Sequence, residues 1–286
     1  MKISYHFYAL TTIFSWALAF IFTRLTVVCF SASSQAFIRY FIASITLLII
    51  AFISKMKLPK LKDLPLFLIS GFFGFFVYTQ FFNRGIASVH ASMASVVNAT
   101  IPIMTALVAS VLYSEKIAGK QWIGVLLEVI GISVLFILNG GLSQGQGLIL
   151  LFVAAVSFVI YNLMQRKLTE NYTPLQATTY SIFAGTIILA FFAKDAIPEL
   201  MAAPKIQYIY LLILGVFSSA IGFFTWAIAF SKAQRTSQVS DYMVLTPVLT
   251  SIIEIFMTHT LPSMATIIGG IITIAGVLVF NLSRQK

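Results

Sequence analysis

Apolar runs of about 18 to 23 residues recur from one end of this 286-residue chain to the other. A run of this length can cross the hydrocarbon core of a bilayer as an α-helix. Only 9% of the residues are charged, whereas a soluble domain carries roughly 25%. The sequence therefore predicts an all-α polytopic membrane protein. Its net charge of +10 belongs to loops and is no sign of nucleic-acid binding.

We predict ten transmembrane helices, five on each side of the uncharged connection NGGLSQGQG. The predicted spans cover residues 5–22, 34–54, 64–83, 91–113, 121–138, 147–165, 174–193, 206–229, 237–258 and 262–281. With this count, thirteen lysines and arginines fall on the side of the chain termini and four on the other, namely Arg24, Arg84, Lys194 and Lys205. Positive loops stay in the cytoplasm, so we expect both termini there.

The two halves of the chain resemble each other at an offset of 145 residues. The offset aligns Pro102 with Pro247, Gly124 with Gly269, and Gly131 with Gly276. We therefore predict two five-helix repeats, residues 1–140 and 146–286. Because five is odd, the second repeat must enter the membrane from the opposite side. Inverted repeats are typical of secondary transporters, which bind their substrate at the repeat interface.

Several short motifs of the first half resemble the EamA domain of the drug/metabolite transporter superfamily, and the resemblance covers the whole chain as two such domains. They are Pro102 with LYSE ending at Glu115, then Gly124 and Gly131, Arg39 in AFIRYFIAS, and the small-residue run IASVHASMASV. The second half departs from the pattern, because Thr260 takes the place of the glutamate. The resemblance implies a ten-helix transporter of small metabolites in a bacterial cytoplasmic membrane. It further implies a cavity lined by spans one, three, four, six, eight and nine.

Pro102 and Pro247 interrupt long apolar runs at equivalent positions. A proline in a helix interior costs about 3 kcal/mol and leaves a carbonyl without its partner. We predict that both prolines are hinges on kinked faces that line the cavity. The alternative is close packing through the small residues around them. For Gly124, Gly131, Gly269 and Gly276, packing between helices is the preferred interpretation.

Ionisable side chains inside spans usually face a cavity or a partner. Glu254 and Glu128 are candidates for ion coupling or for a counter-charge, and so is Asp241. The alternative for either glutamate is a static pair with Arg39, and Asp241 could instead mark the start of a helix. The predicted cavity is aromatic and amide-lined, with the candidate residues Trp16, Tyr78, Asn98, Tyr161, Asn162, Trp226 and Tyr242. Anchoring at the membrane interface is the alternative for Trp226 and Tyr242.

We find no pattern of a catalytic, metal-binding or nucleotide-binding site, and we expect neither an enzyme nor a cofactor. The expected partners are a small-molecule substrate, the lipid bilayer and protons, and one chain supplies both halves, so a monomer suffices. Three functions remain open. They are export of amino acids or similar metabolites, export of drugs or organic cations, and a membrane protein for sensing or assembly without transport. The first is preferred.

Overall fold

The computed structural model describes residues 4–113, 117–138, 142–233, 239 and 241–284, which form helices and short connections without a β-strand. Nine of the described helices are long and apolar enough to cross a membrane, and a shorter apolar helix occupies the ninth predicted span. In chain order they are α1 (Tyr5–Thr26), α2 (Ala32–Ile53), α3 (Leu61–Ile86), α4 (Ala91–Leu112), α5 (Gly119–Leu138), α6 (Gly145–Thr169), α7 (Pro174–Phe192), α8 (Lys205–Lys232), α9 (Tyr242–Thr258) and α10 (Met264–Ser283). The all-α, membrane-spanning class is confirmed, while the side of the membrane on which the termini lie stays a prediction.

Most contacts between helices occur in two equivalent copies. Adding five to the number of a helix in the first half, or subtracting five from one in the second half, converts one copy into the other. Helix α1 packs against α8 and α9, and the equivalent α6 packs against α3 and α4. In the same way, α2 packs against α8 as α7 does against α3. The pairs α2–α7, α4–α9 and α5–α10 join equivalent helices of the two halves. The main contacts between helices thus follow the internal repeat.

The contact between α5 and α10 shows the relative direction of the halves. A Cβ atom on Gly124 would lie 2.6 Å from the carbonyl oxygen of Gly276, and one on Gly131 would lie 2.8 Å from that of Gly269. Residue numbers therefore rise along α5 while they fall along α10. Equivalent helices run in opposite directions, as the odd number of spans per repeat predicts.

The outer surface of the helix bundle is apolar. Large hydrophobic side chains project outward from most of the spans, for example Phe52, Val111, Phe191, Phe256 and Leu282. In water such a surface would aggregate, but in a bilayer it contacts acyl chains at no cost. The main buried cluster runs through both halves, so the two repeats share one core.

Candidate substrate cavity

A cavity lies between the two halves, and seven helices supply its lining. Six of them, α1, α3, α4, α6, α8 and α9, are those that the family resemblance implies. The seventh is α2, which contributes Arg39. Apart from Arg39, the lining consists of aromatic and other apolar side chains and of uncharged polar ones.

The cavity lies next to an irregular point in each of the helices α4 and α9. Helix α4 is interrupted between the segments Ala91–Asn98 and Ile101–Tyr113. Helix α9 begins as the 3₁₀ turn Asp241–Val244 and continues as the α-helix Leu245–Thr258. Asn98 and Met243, which are 145 residues apart and precede the two breaks, both line the cavity. The repeat thus places two changes of helix geometry, an interruption in α4 and a 3₁₀-to-α change in α9, next to the same space.

Two π-helical segments lie next to the cavity at equivalent positions of the repeat. They are Phe72–Val77 in α3 and Ile213–Ile221 in α8. Tyr78 and Phe223, which follow these segments, line the cavity. Wide turns of this kind are common at functional sites, because they re-aim the side chains that follow. The sequence pattern gave no sign of either segment.

Aromatic rings form most of the cavity wall. The ring of Trp16 lies 5.2 Å from that of Phe223 and 5.8 Å from that of Phe158. Tyr78 lies 5.0 Å from Phe158 and stacks on Phe82 at 5.2 Å. Such a wall excludes water and offers contact area to an apolar side chain of a substrate.

Arg39 brings a charge into this apolar wall. It lies seven residues, roughly 10 Å, inside the start of α2, and its side chain is only 4% exposed. Its Nε donates a 2.6 Å hydrogen bond to Ser219 Oγ, and its Cζ lies 5.3 Å from the centre of the Tyr40 ring. Within the described part of the chain, no carboxylate oxygen lies within 4 Å of the guanidinium. The pairing of Arg39 with Glu254 or Glu128, one of our sequence-based alternatives, is therefore wrong.

Three further lining residues carry polar atoms without a hydrogen-bond partner among the described residues. They are Trp16 Nε1, Asn98 Oδ1 and Thr246 Oγ1. The amide nitrogen of Asn98 is already used, since it donates a 2.9 Å hydrogen bond to the hydroxyl of Tyr78. A buried polar atom without a partner destabilises the protein by about 1–3 kcal/mol. A ligand that supplies the partners would recover that free energy.

The structure places only Trp16, Tyr78 and Asn98 of the seven predicted residues in the lining. Trp226 lies behind the wall, with its ring 4.9 Å from that of Trp16. Tyr161 is likewise buried behind Phe223, at 5.7 Å. The remaining two, Asn162 and Tyr242, are also absent from the lining; Asn162 is buried and Tyr242 hydrogen-bonds to His6 near the start of α1. Sequence alone could not separate these four residues from the lining, because an apolar helix does not reveal which of its faces turns toward the centre.

Neither proline lies in a helix interior. Pro102 is the second residue of the segment Ile101–Tyr113, and Pro247 is the third of Leu245–Thr258. The N–H groups of a first turn have no partner within their helix, so a proline there loses nothing. Pro247 faces an apolar groove beside α10, and neither proline lines the cavity. On the predicted proline faces of α4 and α9, Asn98 and Met243 are therefore the residues that line the cavity. The hinge role of the prolines stays a prediction.

Glu254 lies outside the cavity and joins the two halves at one end of the bundle. Its carboxylate accepts hydrogen bonds from the backbone N–H groups of Ala91 and Ser92, at 3.0 and 2.9 Å. These are the first residues of α4, where the helix dipole favours a negative charge. His90 Nδ1 lies 3.8 Å from the carboxylate, and Arg24 of α1 borders the same space. We call this end of the bundle, where α4 begins and α9 ends, the Ala91 face.

Glu128 is buried in the contact between α5 and α10, away from the cavity. A Cβ atom on Gly276 would lie 2.7 Å from the backbone nitrogen of Glu128. The four glycines of the repeat lie in this same contact. The side chain of Asp241 and the whole of Glu115 lie outside the described part of the chain. Their predicted roles have no structural account.

Eight of the eleven lining residues are not among the seven predicted cavity residues, and they include Phe158, Phe223 and Thr246. Sequence reasoning also missed Ser219, the partner of Arg39. A signal was available for Ser219, because two adjacent serines interrupt the apolar run ILGVFSSAI. For the phenylalanines there was none, since 27 of them are distributed over core and lipid-facing positions alike.

An inverted repeat of membrane-spanning helices around a central cavity is the architecture of an integral membrane transporter. The profile of the EamA-like transporter family matches residues 3–137 and again residues 145–282, so the chain belongs to that family. Its relatives are named as transporters, and no catalytic activity is indicated. The bacterial relatives point to the cytoplasmic membrane as its location.

Several relatives match over nearly the whole chain. An uncharacterized transporter of Bacillus subtilis, YdfC, is 28% identical over 95% of this chain and 89% of its own length. A probable terminal-alkyne amino-acid exporter of Streptantibioticus cattleyicolor is 27% identical over 100% of this chain and 97% of its own. An S-adenosylmethionine uptake transporter of Rickettsia felis is 26% identical over 88% and 83%. A crystal structure with a TM-score of 0.70 and 18% identity, covering 100% of both chains, shows the same fold.

Proposed function

We propose that this protein is a secondary-active transporter that exports amino acids or similarly small metabolites by alternating access. The observation that carries the proposal is the cavity between the inverted halves, at the paired breaks of α4 and α9. A substrate held there can be released to either side when the halves exchange conformations. The names of two relatives, an amino-acid exporter and a carrier of S-adenosylmethionine, support solutes that contain an amino-acid group. Export is proposed because the relative named as an exporter matches this chain over its full length.

The charged residues in and near the cavity support export of organic cations less than export of amino acids. That function would use Glu254 or Asp241 as counter-charges, but Glu254 lies at the Ala91 face and outside the cavity. The charged residue of the lining is Arg39, which repels a cation. We keep Glu254 as the candidate for proton coupling, because it joins the halves where the Ala91 face would open. Glu128 is a weaker candidate, since it lies in the α5–α10 contact.

The experiment is counterflow into proteoliposomes that contain the purified full-length protein. Vesicles preloaded with single amino acids, nucleosides or tetraethylammonium are tested for uptake of the same radiolabelled solute, beside protein-free liposomes. We expect saturable counterflow of at least one amino acid. Counterflow of tetraethylammonium alone would contradict the proposal in favour of cation export, and the absence of any amino-acid counterflow would also overturn it.

The hinge hypothesis predicts that Pro102→Ala and Pro247→Ala slow transport without unfolding the protein. Each proline stands in a first turn, where its missing N–H is not needed, so we expect the free energy of unfolding to change by less than about 1 kcal/mol. Alanine would allow each helix to continue across its break and would stiffen it, and counterflow should become several-fold slower. The control is Pro65→Ala, in the first turn of the segment Leu64–Gly71, remote from both breaks. Unchanged rates in both test variants would reject the hinge role.

A further inference from the structure

We infer that Arg39 binds the carboxylate of the transported solute, so that the cavity selects molecules with one anionic group. This inference rests on the proposed function, because it assigns the substrate class of the same cavity. The charge of Arg39 is buried in the described structure without a carboxylate partner. A buried charge is normally paired, and an unpaired one marks a place where a ligand of opposite charge binds.

The two terminal nitrogens of the Arg39 guanidinium are available to bind a ligand. Of its three nitrogens, only Nε has a hydrogen-bond partner in the described part of the chain, namely Ser219 Oγ. The π-helical segment of α8 holds that serine in place, while the Tyr40 ring lies beside the guanidinium carbon. The two terminal nitrogens remain for a carboxylate, which a guanidinium binds through two parallel hydrogen bonds.

The charge of the lining indicates a monoanion. Arg39 contributes one positive charge, and none of the other lining residues that are described is charged. A carboxylate balances this charge, whereas a phosphate dianion would remain half unpaired. The acceptor Asn98 Oδ1 lies in the same lining without a partner and suits the ammonium group of an α-amino acid. The aromatic wall around Trp16 and Phe158 suits its apolar side chain.

The test measures binding to the purified full-length protein in detergent, by ligand-induced thermal stabilisation, which does not depend on transport. The probes are the proteinogenic amino acids and their amides, which keep the ammonium group and side chain but lack the carboxylate. We expect at least one amino acid to bind about 30-fold or more tightly than its amide, the lower range for losing one partner of a buried charge pair. Equal affinities, the absence of amino-acid binding, or stronger stabilisation by inorganic phosphate would overturn the inference.

Substitutions at Arg39 test whether this residue causes the preference for an amino acid over its amide. Arg39→Gln should weaken binding of the amino acid about 30-fold and leave binding of the amide unchanged. Arg39→Lys should retain part of the preference, because it keeps the charge but cannot bind the carboxylate through two parallel hydrogen bonds. The matched control is Arg84→Gln, which removes the same charge from the exposed end of α3 and should change neither affinity.

If Arg39→Gln fails to fold, a second variant tests whether Arg39 binds the carboxylate. Ser219→Ala removes the partner of Nε while keeping the guanidinium, and it should weaken binding of the acid but not of the amide. A Ser219→Ala protein that binds acid and amide as the wild type does would count against the positioning of Arg39. Counterflow without preference for a carboxylate would contradict this inference and leave the transporter proposal intact. Binding with that preference but without counterflow would contradict the transporter proposal and support the carboxylate site.

Discussion

Replacing Glu254 with glutamine is expected to open the Ala91 face. The carboxylate of Glu254 accepts hydrogen bonds from the first two N–H groups of α4, and Arg24 adds positive charge nearby. Glutamine keeps one acceptor oxygen and loses the charge. Hydrogen bonds to charged groups contribute about 1.5–3 kcal/mol, so the closed state should lose about 1–3 kcal/mol. The ratio of open to closed molecules should therefore rise about 5- to 150-fold.

The measurement is a distance distribution between spin labels at Ser88 and Leu261, which flank the α4–α9 contact at the Ala91 face, in a Cys29→Ala background. We expect a longer distance to gain population in Glu254→Gln. Glu199→Gln is the matched control, because Glu199 also accepts a hydrogen bond from a backbone N–H, that of Ser31, but at an exposed position. Distributions identical to those of the wild type in both variants would show that Glu254 does not hold this face closed.

The same variant tests proton coupling. Protonation of Glu254 would remove part of the acceptor capacity that holds α4. The charged Arg24 and the titratable His90 are the groups that face this carboxylate. If Glu254 couples protons to transport, Glu254→Gln should retain counterflow but lose its response to a pH gradient. A response equal to that of the wild type would leave Glu254 as a contact between the two halves and nothing more.

Gly276→Ala is expected to destabilise the fold by about 1–3 kcal/mol, the usual cost of overpacking. The added Cβ atom would lie 2.7 Å from two backbone atoms of α5, the nitrogen of Glu128 and the carbonyl oxygen of Gly124. Backbone atoms cannot rotate away, so the two helices must separate along their contact. Separation would also loosen the packing around Glu128, which lies buried between them.

Equilibrium unfolding in a mixture of mild detergent and dodecyl sulfate measures this loss. Gly270→Ala is the control in the same helix, since its Cβ atom would meet only a methyl group of Val96, at 3.2 Å. We expect Gly270→Ala to unfold within about 0.5 kcal/mol of the wild type, as substitutions away from strained contacts do. Equal losses in the two variants would show that the α5–α10 contact tolerates added volume.

The candidate site could be predicted only in part, and particular residues show why. Of the predicted cavity residues, Trp16, Tyr78 and Asn98 border the cavity of the structure, whereas Trp226 and Tyr161 lie one layer behind it. In a soluble helix, the apolar stripe identifies the buried face. In these helices the lipid-facing side is as apolar as the core, so the sequence does not distinguish the two sides.

The sequence by itself determined the number of spans, the two repeats and their inversion. These follow from the lengths of apolar runs, from self-similarity at 145 residues and from the odd number of spans in each half. The tertiary structure alone decided that Arg39 enters the cavity unpaired, that Glu254 holds the start of α4, and that the prolines stand at helix breaks. The first two of these outcomes depend on the rotation of one helix against another. Rotation is fixed by packing between residues distant in the chain, such as Arg39 and Ser219, and no local pattern contains it.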